Sequence, residues 1–297
     1  MLKADLGIYY LCLISVTWIL YLFKIDPQTG RLAFDREFAL VDTSGSAMRL
    51  HLYPSMSQVC TSIDLSTNVM TVSAPNQKNL TLSLDSESET VKDIQVCGTL
   101  CKGSIYGGSK ASRWFSSVLG VRCWLARHHG NNDNKNEQEN NGYAYYNEAS
   151  ILLVSQQSIS YLNTVISESA QGGKLVESRQ FRPNIVVVRS CNEEEGNTEE
   201  EEVTNPEDSW EKIIIEGMLG DAVELKSVGK CARCQMVDVD PSSGMKGNTL
   251  RALAQYRRER GKINFGTFFT GNPNAQEGKV WLEEGSRVRS ESIQFHQ

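Results

Sequence analysis

The stretch GKCARCQMVDVDPSSG, residues 229 to 244, decides how this chain is interpreted. Cys231 and Cys234 are two residues apart with Arg233 between them, and the run CQMVDVD that follows alternates like a β-strand. Such a pair can hold a metal, form a disulfide or contact a cofactor, and a free cysteine can also be an ordinary core residue. These alternatives stay open on the spacing alone.

A zinc site is the first alternative to weigh. Structural zinc needs four ligands, usually from two close pairs. The other close pair, Cys97 and Cys101, ends 130 residues before Cys231, and the four histidines are badly placed to complete a site. A disulfide between Cys231 and Cys234 would be strained.

Composition limits the classes of protein and partner. The chain has 297 residues, 40% of them hydrophobic and 22% charged, which is typical of a folded globular protein. Residues 191 to 209 carry nine acids and no base, which leaves 27 acids against 30 bases elsewhere. The remaining body is therefore mildly basic and compatible with a small anionic ligand. Because it has no concentrated run of Lys or Arg, nucleic acid is not an expected partner.

Cysteine content and the first residues bear on location. Eight cysteines are too few for a disulfide scaffold, so a reducing, cytoplasmic location is expected. Residues 7 to 23 carry no charge, so the alternatives for this segment are a membrane anchor, a buried strand or an atypical start of the chain.

The hydrophobic pattern predicts an α+β fold that is rich in β-strands. Short alternating runs from residue 32 to about 86 indicate antiparallel strands, and further strands are predicted in ILLV, FRPNIVVV, WEKIIIE and DAVELKSVG. Helices are predicted over residues 109 to 120, after ILLV, and from Asn248 as a cap into NTLRALAQYRRER. Frequent short strands with few helices favour a barrel or a strongly bent mixed sheet.

Several separate motifs resemble one family in the order in which that family has them. FDREF, FRPN, DSWEKIIIEG, CARCQMVDVDPSSG and RALAQYRRERGKINFG resemble the MOSC domain and the β subdomain that precedes it in molybdenum cofactor sulfurases. The resemblance implies a MOSC-type β-barrel with an N-terminal mixed β subdomain. We expect an apolar segment at 1–24, the β subdomain at 25–127, a polar loop at 128–142 and the MOSC domain at 143–297, with the acidic loop 191–209 as a solvated insertion.

The resemblance also implies site residues. Cys234 matches the cysteine that coordinates molybdenum in the amidoxime-reducing relatives, and Cys231 is the less favoured ligand. A soft thiolate suits such a metal, and Arg233 would favour its ionised form. The other implied cofactor contacts, which hold or line the anionic pterin, are Arg36, Arg182, Asn184, Ser155, Ser158 and Ser209; the serines are alternatively helix caps.

The implied function is binding of molybdenum cofactor (molybdopterin) and its sulfuration. Sulfur would come as a persulfide from a cysteine desulfurase that uses pyridoxal phosphate, supplied by a partner domain or protein. The recipients would be enzymes of the xanthine dehydrogenase and aldehyde oxidase type. A molybdenum oxidoreductase of the amidoxime-reducing type and a non-catalytic, zinc-stapled interaction module are the alternatives. The chain departs from the family in lacking a Y-P-I-K-S segment, of which Lys24 would be a remnant.

Overall fold

A computed structural model describes residues 8–12, 22–85, 91–96, 99–128, 149–169, 173–189, 204–275 and 278–292. Residues 129–142 of the predicted polar loop, and residues 191–203 of the predicted acidic loop, lie outside these ranges. Cys97 of the second cysteine pair also lies outside them. The predicted division into four segments remains a prediction.

Within the described residues the chain forms mainly short strands. In chain order they are β1 (Ile8–Cys12), β2 (Leu22–Ile25), β3 (Phe38–Val41), β4 (Cys60–Asp64), β5 (Val69–Ser73), β6 (Leu80–Ser83), β7 (Val91–Val96), β8 (Thr99–Tyr106), β9 (Trp124–His128), β10 (Ile151–Ser155), β11 (Ile185–Arg189), β12 (Trp210–Glu216), β13 (Ala222–Ala232), β14 (Arg258–Glu259), β15 (Lys262–Gly271), β16 (Val280–Glu283) and β17 (Arg287–Ser292). The helices are α1 (Gly108–Leu119), α2 (Gln156–Glu168) and α3 (Thr249–Tyr256).

Seven strands close into a barrel: β1 from the start of the chain and six strands from its C-terminal half. The pairing order is β10-β11-β1-β17-β12-β13-β15, and β15 pairs with β10 again, so the ring is complete. β10 and β11 run parallel, whereas the other pairs in the ring are antiparallel. All five residues of β10 are buried, which agrees with the apolar run ILLV. The predicted β-rich fold with a barrel is confirmed.

The barrel closes through a close approach at Gly266 of β15. Its φ is +76°, and a Cβ atom there would lie 2.7 Å from Cγ2 of Val154 and 2.8 Å from the carbonyl oxygen of Leu153. The core of the barrel is apolar; its buried residues include Ile151, Leu153, Ile185, Val187, Ile213, Ile215, Leu225, Phe269 and Val288.

The N-terminal part consists of two smaller sheets with a second core. Their strand orders are β3-β9-β8-β7 and β4-β5-β6, and the buried residues Ala111 and Phe115 of α1 belong to the same core as Leu80 and Tyr106. The helix ends at Leu119, and Gly120 adopts the left-handed conformation at its C-terminus. This is the helix and the stop that the sequence predicts.

The first residues form part of the barrel. β1 pairs with both β11 and β17, so this section of the uncharged stretch 7–23 is a strand. No helix in the described part of the chain is long and apolar enough to cross a bilayer. Residues 7 and 13–21 of that stretch lie outside the described ranges. Lys24 lies in β2, and its ammonium is 5.6 Å from the centre of the Trp281 ring.

Two local predictions are wrong in detail. CQMVDVD is not a strand: residues Gln235–Asp238 form a 3-10 turn, and the alternation reflects burial of Val237 and Val239. Asn248 precedes α3 but makes no side-chain cap hydrogen bond. The amide of Leu250, at the start of the helix, instead donates to Oδ1 of Asp238 at 2.7 Å. Asp238 lies in the preceding 3-10 turn, ten positions before Asn248 in sequence, so the cap could not be read from the residues next to the helix.

Candidate functional site

The two cysteines of the C-x-x-C motif have different environments. Cys231 lies near the end of β13, where it is 6% exposed and packs with Ala149, Leu152 and Phe268. Cys234 follows the strand, at the start of the 3-10 turn, and is exposed. Of the two thiols, Cys234 is therefore the one that a ligand can reach; its role as a metal ligand remains a prediction.

Arg233 is fixed between the two cysteines by its guanidinium group. Nε donates to the carbonyl oxygen of Phe265 at 2.8 Å, and Nη1 donates to that of Phe181 at 3.0 Å. The guanidinium carbon lies 5.5 Å from the centre of the Phe181 ring. Nη2 is buried and has no hydrogen-bond partner among the described residues. Because a buried donor without a partner is costly, this nitrogen is a fitting contact for an anionic ligand.

The pKa of Arg233 depends on its burial and on the charges near it. Desolvation lowers the pKa of Arg233, whereas the negative charges of Cys231 and Cys234, when ionised, raise it. Arg36 lowers the same pKa, which places a second guanidinium within electrostatic range. The group remains a cation at neutral pH, because a guanidinium keeps its proton in proteins.

Arg182 brings a third guanidinium to the same place. The residue ends the 3-10 turn Ser178–Phe181 and has left-handed backbone angles, φ 52° and ψ 45°. It is exposed, yet desolvation by the surrounding protein lowers its pKa most, followed by the charge of Arg36. The charges of Asp35 and Cys234 raise it. Arg182 thus lies within electrostatic range of both the predicted thiol and the predicted arginine.

Asn184 holds Arg36 against the barrel. Its Oδ1 accepts from the amide of Leu152 at 2.9 Å and from Nη2 of Arg36 at 3.3 Å, while Nη1 of Arg36 donates to the carbonyl oxygen of Ala149 at 3.4 Å. The asparagine is only 2% exposed. Its position makes it a residue that orients Arg36, since its oxygen is already occupied by two donors.

The three predicted serines bind protein groups. Ser155 caps α2, with Oγ accepting from the amide of Ser158 at 3.0 Å. The hydroxyl of Ser158 contacts both carboxyl oxygens of Glu207, at 2.7 and 2.8 Å. Oγ of Ser209 donates to the carbonyl oxygen of Pro206 at 2.9 Å. The structure thus supports the capping alternative for Ser155, and a direct cofactor contact of any of the three remains a prediction.

Glu207 is a buried residue that the sequence analysis missed. It is 0% exposed, and burial raises its pKa while hydrogen bonds from Ser155 and Ser158 oppose that shift. The expected solvated loop 191–209 is therefore wrong for its last residues, since Asn205, Pro206 and Glu207 are buried. Glu207 is buried against Ser155 and Ser158, which lie 52 and 49 positions earlier in the sequence. The acidic residues next to it in sequence indicated an exposed loop instead.

Asp208, next along the chain, has a different role. Its Oδ2 lies 2.7 Å from Nη2 of Arg257, a partly buried pair, and 3.6 Å from Nζ of Lys230. These contacts attach the segment after Glu207 to the end of α3 and to β13.

A zinc site finds no support in the described residues. They contain no group of three or more His, Cys, Asp or Glu side chains placed to hold a metal ion together. Cys101 lies half-buried in β8, in the four-stranded sheet β3-β9-β8-β7, where burial raises the pKa of its thiol.

Comparison with known proteins identifies the family. The MOSC N-terminal beta barrel domain matches residues 22–122, and the MOSC domain matches residues 126–290. Curated relatives named molybdenum cofactor sulfurase include those of Oryza sativa subsp. japonica (29% identity, 88% of this chain, 32% of that protein), Aspergillus clavatus (28%, 79%, 34%) and Solanum lycopersicum (28%, 90%, 34%). The chain spans about one third of the length of these relatives. The resemblance drawn from the motifs is confirmed, and the chain belongs to the MOSC domain family.

Proposed function

We propose that this chain binds molybdenum cofactor at the arginine-lined site and presents it for exchange of an oxo ligand for sulfur. One observation carries the proposal: Arg182 and Arg233 both lie within electrostatic range of the exposed thiol of Cys234, and Arg36 lies within range of both arginines. Nη2 of Arg233 is also buried without a hydrogen-bond partner among the described residues. Such a donor set suits a ligand with both an anionic part and a thiophilic metal. The names of the curated relatives point to the same cofactor.

Each residue has a distinct role in this proposal. Arg182 and Arg36 bind the phosphate of the pterin, and Asn184 positions Arg36 through its Oδ1. Arg233 donates to the ligand through Nη2, the nitrogen that has no partner among the described residues. The thiolate of Cys234 contacts the metal, while Cys231 lies in an apolar cluster and supports the strand end. When bound, the cofactor supplies a molybdenum centre that can take sulfur in place of oxygen.

The sulfur source and recipients extend the proposal. We propose a persulfide donor, a cysteine desulfurase that uses pyridoxal phosphate, as a partner domain or protein. The recipients would be enzymes of the xanthine dehydrogenase and aldehyde oxidase type. Support comes from the relatives, which are about three times as long as the part that this chain matches.

Metal and pterin content test the proposal directly. Protein purified from a host that makes the cofactor should contain molybdenum and pterin near one per chain, and Cys234→Ala should lose the molybdenum. Cys60→Ala is the matched control, because Cys60 is a half-buried thiol in β4 of the N-terminal part. Zinc in place of molybdenum, or equal molybdenum in the Cys234 and Cys60 variants, would contradict the proposed role of Cys234.

A further inference from the structure

Asp35 lies in the arginine-lined site, although its charge opposes that of an anionic ligand. The residue stands between Phe34 and Arg36, whose φ angles are 62° and 55°. Two successive turns form this segment: the amide of Asp35 donates to Leu32, at 3.2 Å, and that of Glu37 donates to Phe34, at 3.4 Å. Oδ2 of Asp35 lies 3.6 Å from Nε of Arg36, and the carboxylate side chain is 15% exposed.

The neighbouring acid, Glu37, has a partner outside the site. Its Oε1 accepts from Nε of Arg127 at 2.5 Å, and Arg127 also donates to the carbonyl oxygen of Leu84. Arg127 packs over the rings of Phe38 and Tyr106 in the N-terminal part. The two carboxylates that flank Arg36 in sequence are thus directed to different places. Asp35 faces the candidate anion site and Glu37 does not.

The charge of Asp35 acts on two of the three arginines. It pairs with Arg36 directly, and it favours the charged form of Arg182. Any anion that binds Arg36 and Arg182 comes close to this carboxylate. Because the pair is only partly exposed, solvent screens the repulsion less than at an open surface. A doubly charged anion meets about twice the Coulomb repulsion of a singly charged one.

We infer that Asp35 is a built-in competitor of the anionic ligand: it neutralises Arg36 in the free protein, and its repulsion weakens the binding of a phosphate dianion. Like-charge contacts at a binding site lower affinity and select among ligands. The inference rests on the proposed function, because it assumes that Arg36 and Arg182 receive a phosphate. Its consequence is reversible binding, which suits a protein that passes its ligand on.

Phosphate binding by calorimetry tests the inference without an activity assay. The probes are inorganic phosphate at pH 8, mostly a dianion, and dimethyl phosphate, a monoanion. Asp35→Asn should bind inorganic phosphate about five- to tenfold more tightly than the wild type, and the increase in affinity should be smaller for dimethyl phosphate. The difference in affinity between the variant and the wild type should also become smaller at about 0.5 M salt. Glu37→Gln removes an equal charge from the adjacent acid and should stay within about twofold of the wild type.

The outcomes separate this inference from the proposed function. If the wild type binds phosphate and Arg182→Ala loses it, but Asp35→Asn binds no more tightly, the role of Asp35 is wrong and the anion site stands. An equal gain in Asp35→Asn and Glu37→Gln also overturns it, because net charge alone then explains the effect. If neither the wild type nor Asp35→Asn binds phosphate, both proposals fail.

Discussion

Two of the site arginines have backbone angles that arginine rarely adopts. Arg36 has φ 55° and Arg182 has φ 52°, both in the left-handed region. A non-glycine residue there costs roughly 1–2 kcal/mol, because Cβ crowds the backbone carbonyl. Such strain persists where surrounding contacts enforce it, and it is concentrated at functional sites. The backbone at Arg182 thus gives up stability to present its guanidinium beside Arg36 and Cys234.

Glycine and alanine at position 182 should separate strain from charge. Arg182→Gly and Arg182→Ala both remove the guanidinium, so both should lose phosphate binding in calorimetry. Glycine also relieves the left-handed strain, so Arg182→Gly should be more stable to urea than Arg182→Ala by about 1 kcal/mol. Equal stability of the two variants would mean that the backbone at this position is relaxed.

Sequence motifs indicated the arginines and the cysteine of the candidate site, but not the acid Asp35 beside them. Cys234, Arg182, Arg36 and Arg233 stand in recognisable motifs, and the fold brings them together. Asp35 gave no such signal, because whether an acid faces an arginine depends on turn geometry that the letters FDREF do not specify. Asn184 was predicted as a ligand contact, which stays a prediction, whereas its long-range hydrogen bond to β10 could not be predicted from the motif.

At the scale of elements, the turn over residues 240–244, which follows the 3-10 turn Gln235–Asp238, is organised around one carboxylate. Oδ1 of Asp240 accepts from the amide of Ser242 at 3.0 Å, and Oδ2 accepts from Oγ of Ser243 at 2.5 Å and from Nζ of Lys174. Its carbonyl oxygen accepts from Gly244 at 2.8 Å. The alternation in VDVD predicted a strand, but these residues form the end of the 3-10 turn and the start of the turn at Asp240. A period of two was therefore insufficient to predict a strand here.

Asp240 should make the stability of this turn depend on pH. The hydrogen bond from Lys174, followed by that from Ser243, lowers the pKa of Asp240 from 3.8 to about 2. Because the folded-state pKa is lower than the unfolded one, the stabilisation is present above about pH 4 and is lost as the pH falls through 2. Since Lys174 is largely exposed, we expect only about 1 kcal/mol at neutral pH.

Urea denaturation at several pH values measures this contribution. The wild type should be more stable than Asp240→Asn at pH 6 by about 1 kcal/mol, and the difference should vanish near pH 2. Comparing the two proteins at each pH removes the effect of the other carboxylates. If the difference in the free energy of unfolding stays constant with pH, Asp240 stabilises the turn through its hydrogen bonds and not through its negative charge.

At the scale of the whole molecule, the sequence predicted a β-barrel but not the order in which its strands pair. Runs such as ILLV and WEKIIIE predict strands correctly. The closure joins Ile151 to Phe269, and β1 enters between β11 and β17, so the order depends on contacts more than 100 residues apart. Local patterns carry no information on such pairings. The uncharged stretch 7–23 illustrates this, because its apolar letters fit a strand as well as an anchor.

The two parts of the molecule meet at the candidate site, and Arg36 connects them. It precedes β3 of the N-terminal part, and its guanidinium donates to Ala149 and Asn184 beside β10 and β11 of the barrel. Arg36→Ala should remove both bonds without changing the left-handed strain, because alanine also has a Cβ. We expect a loss of about 1–2 kcal/mol of stability and faster hydrogen exchange in residues 149–153 and 184–186.

Arg49→Ala, which removes an exposed arginine of the same part, is the matched control and should change neither. Since the bonds of Arg36 are long, at 3.3 and 3.4 Å, unchanged exchange in Arg36→Ala would show that packing alone joins the parts, and Arg36 would then be free to serve the ligand only.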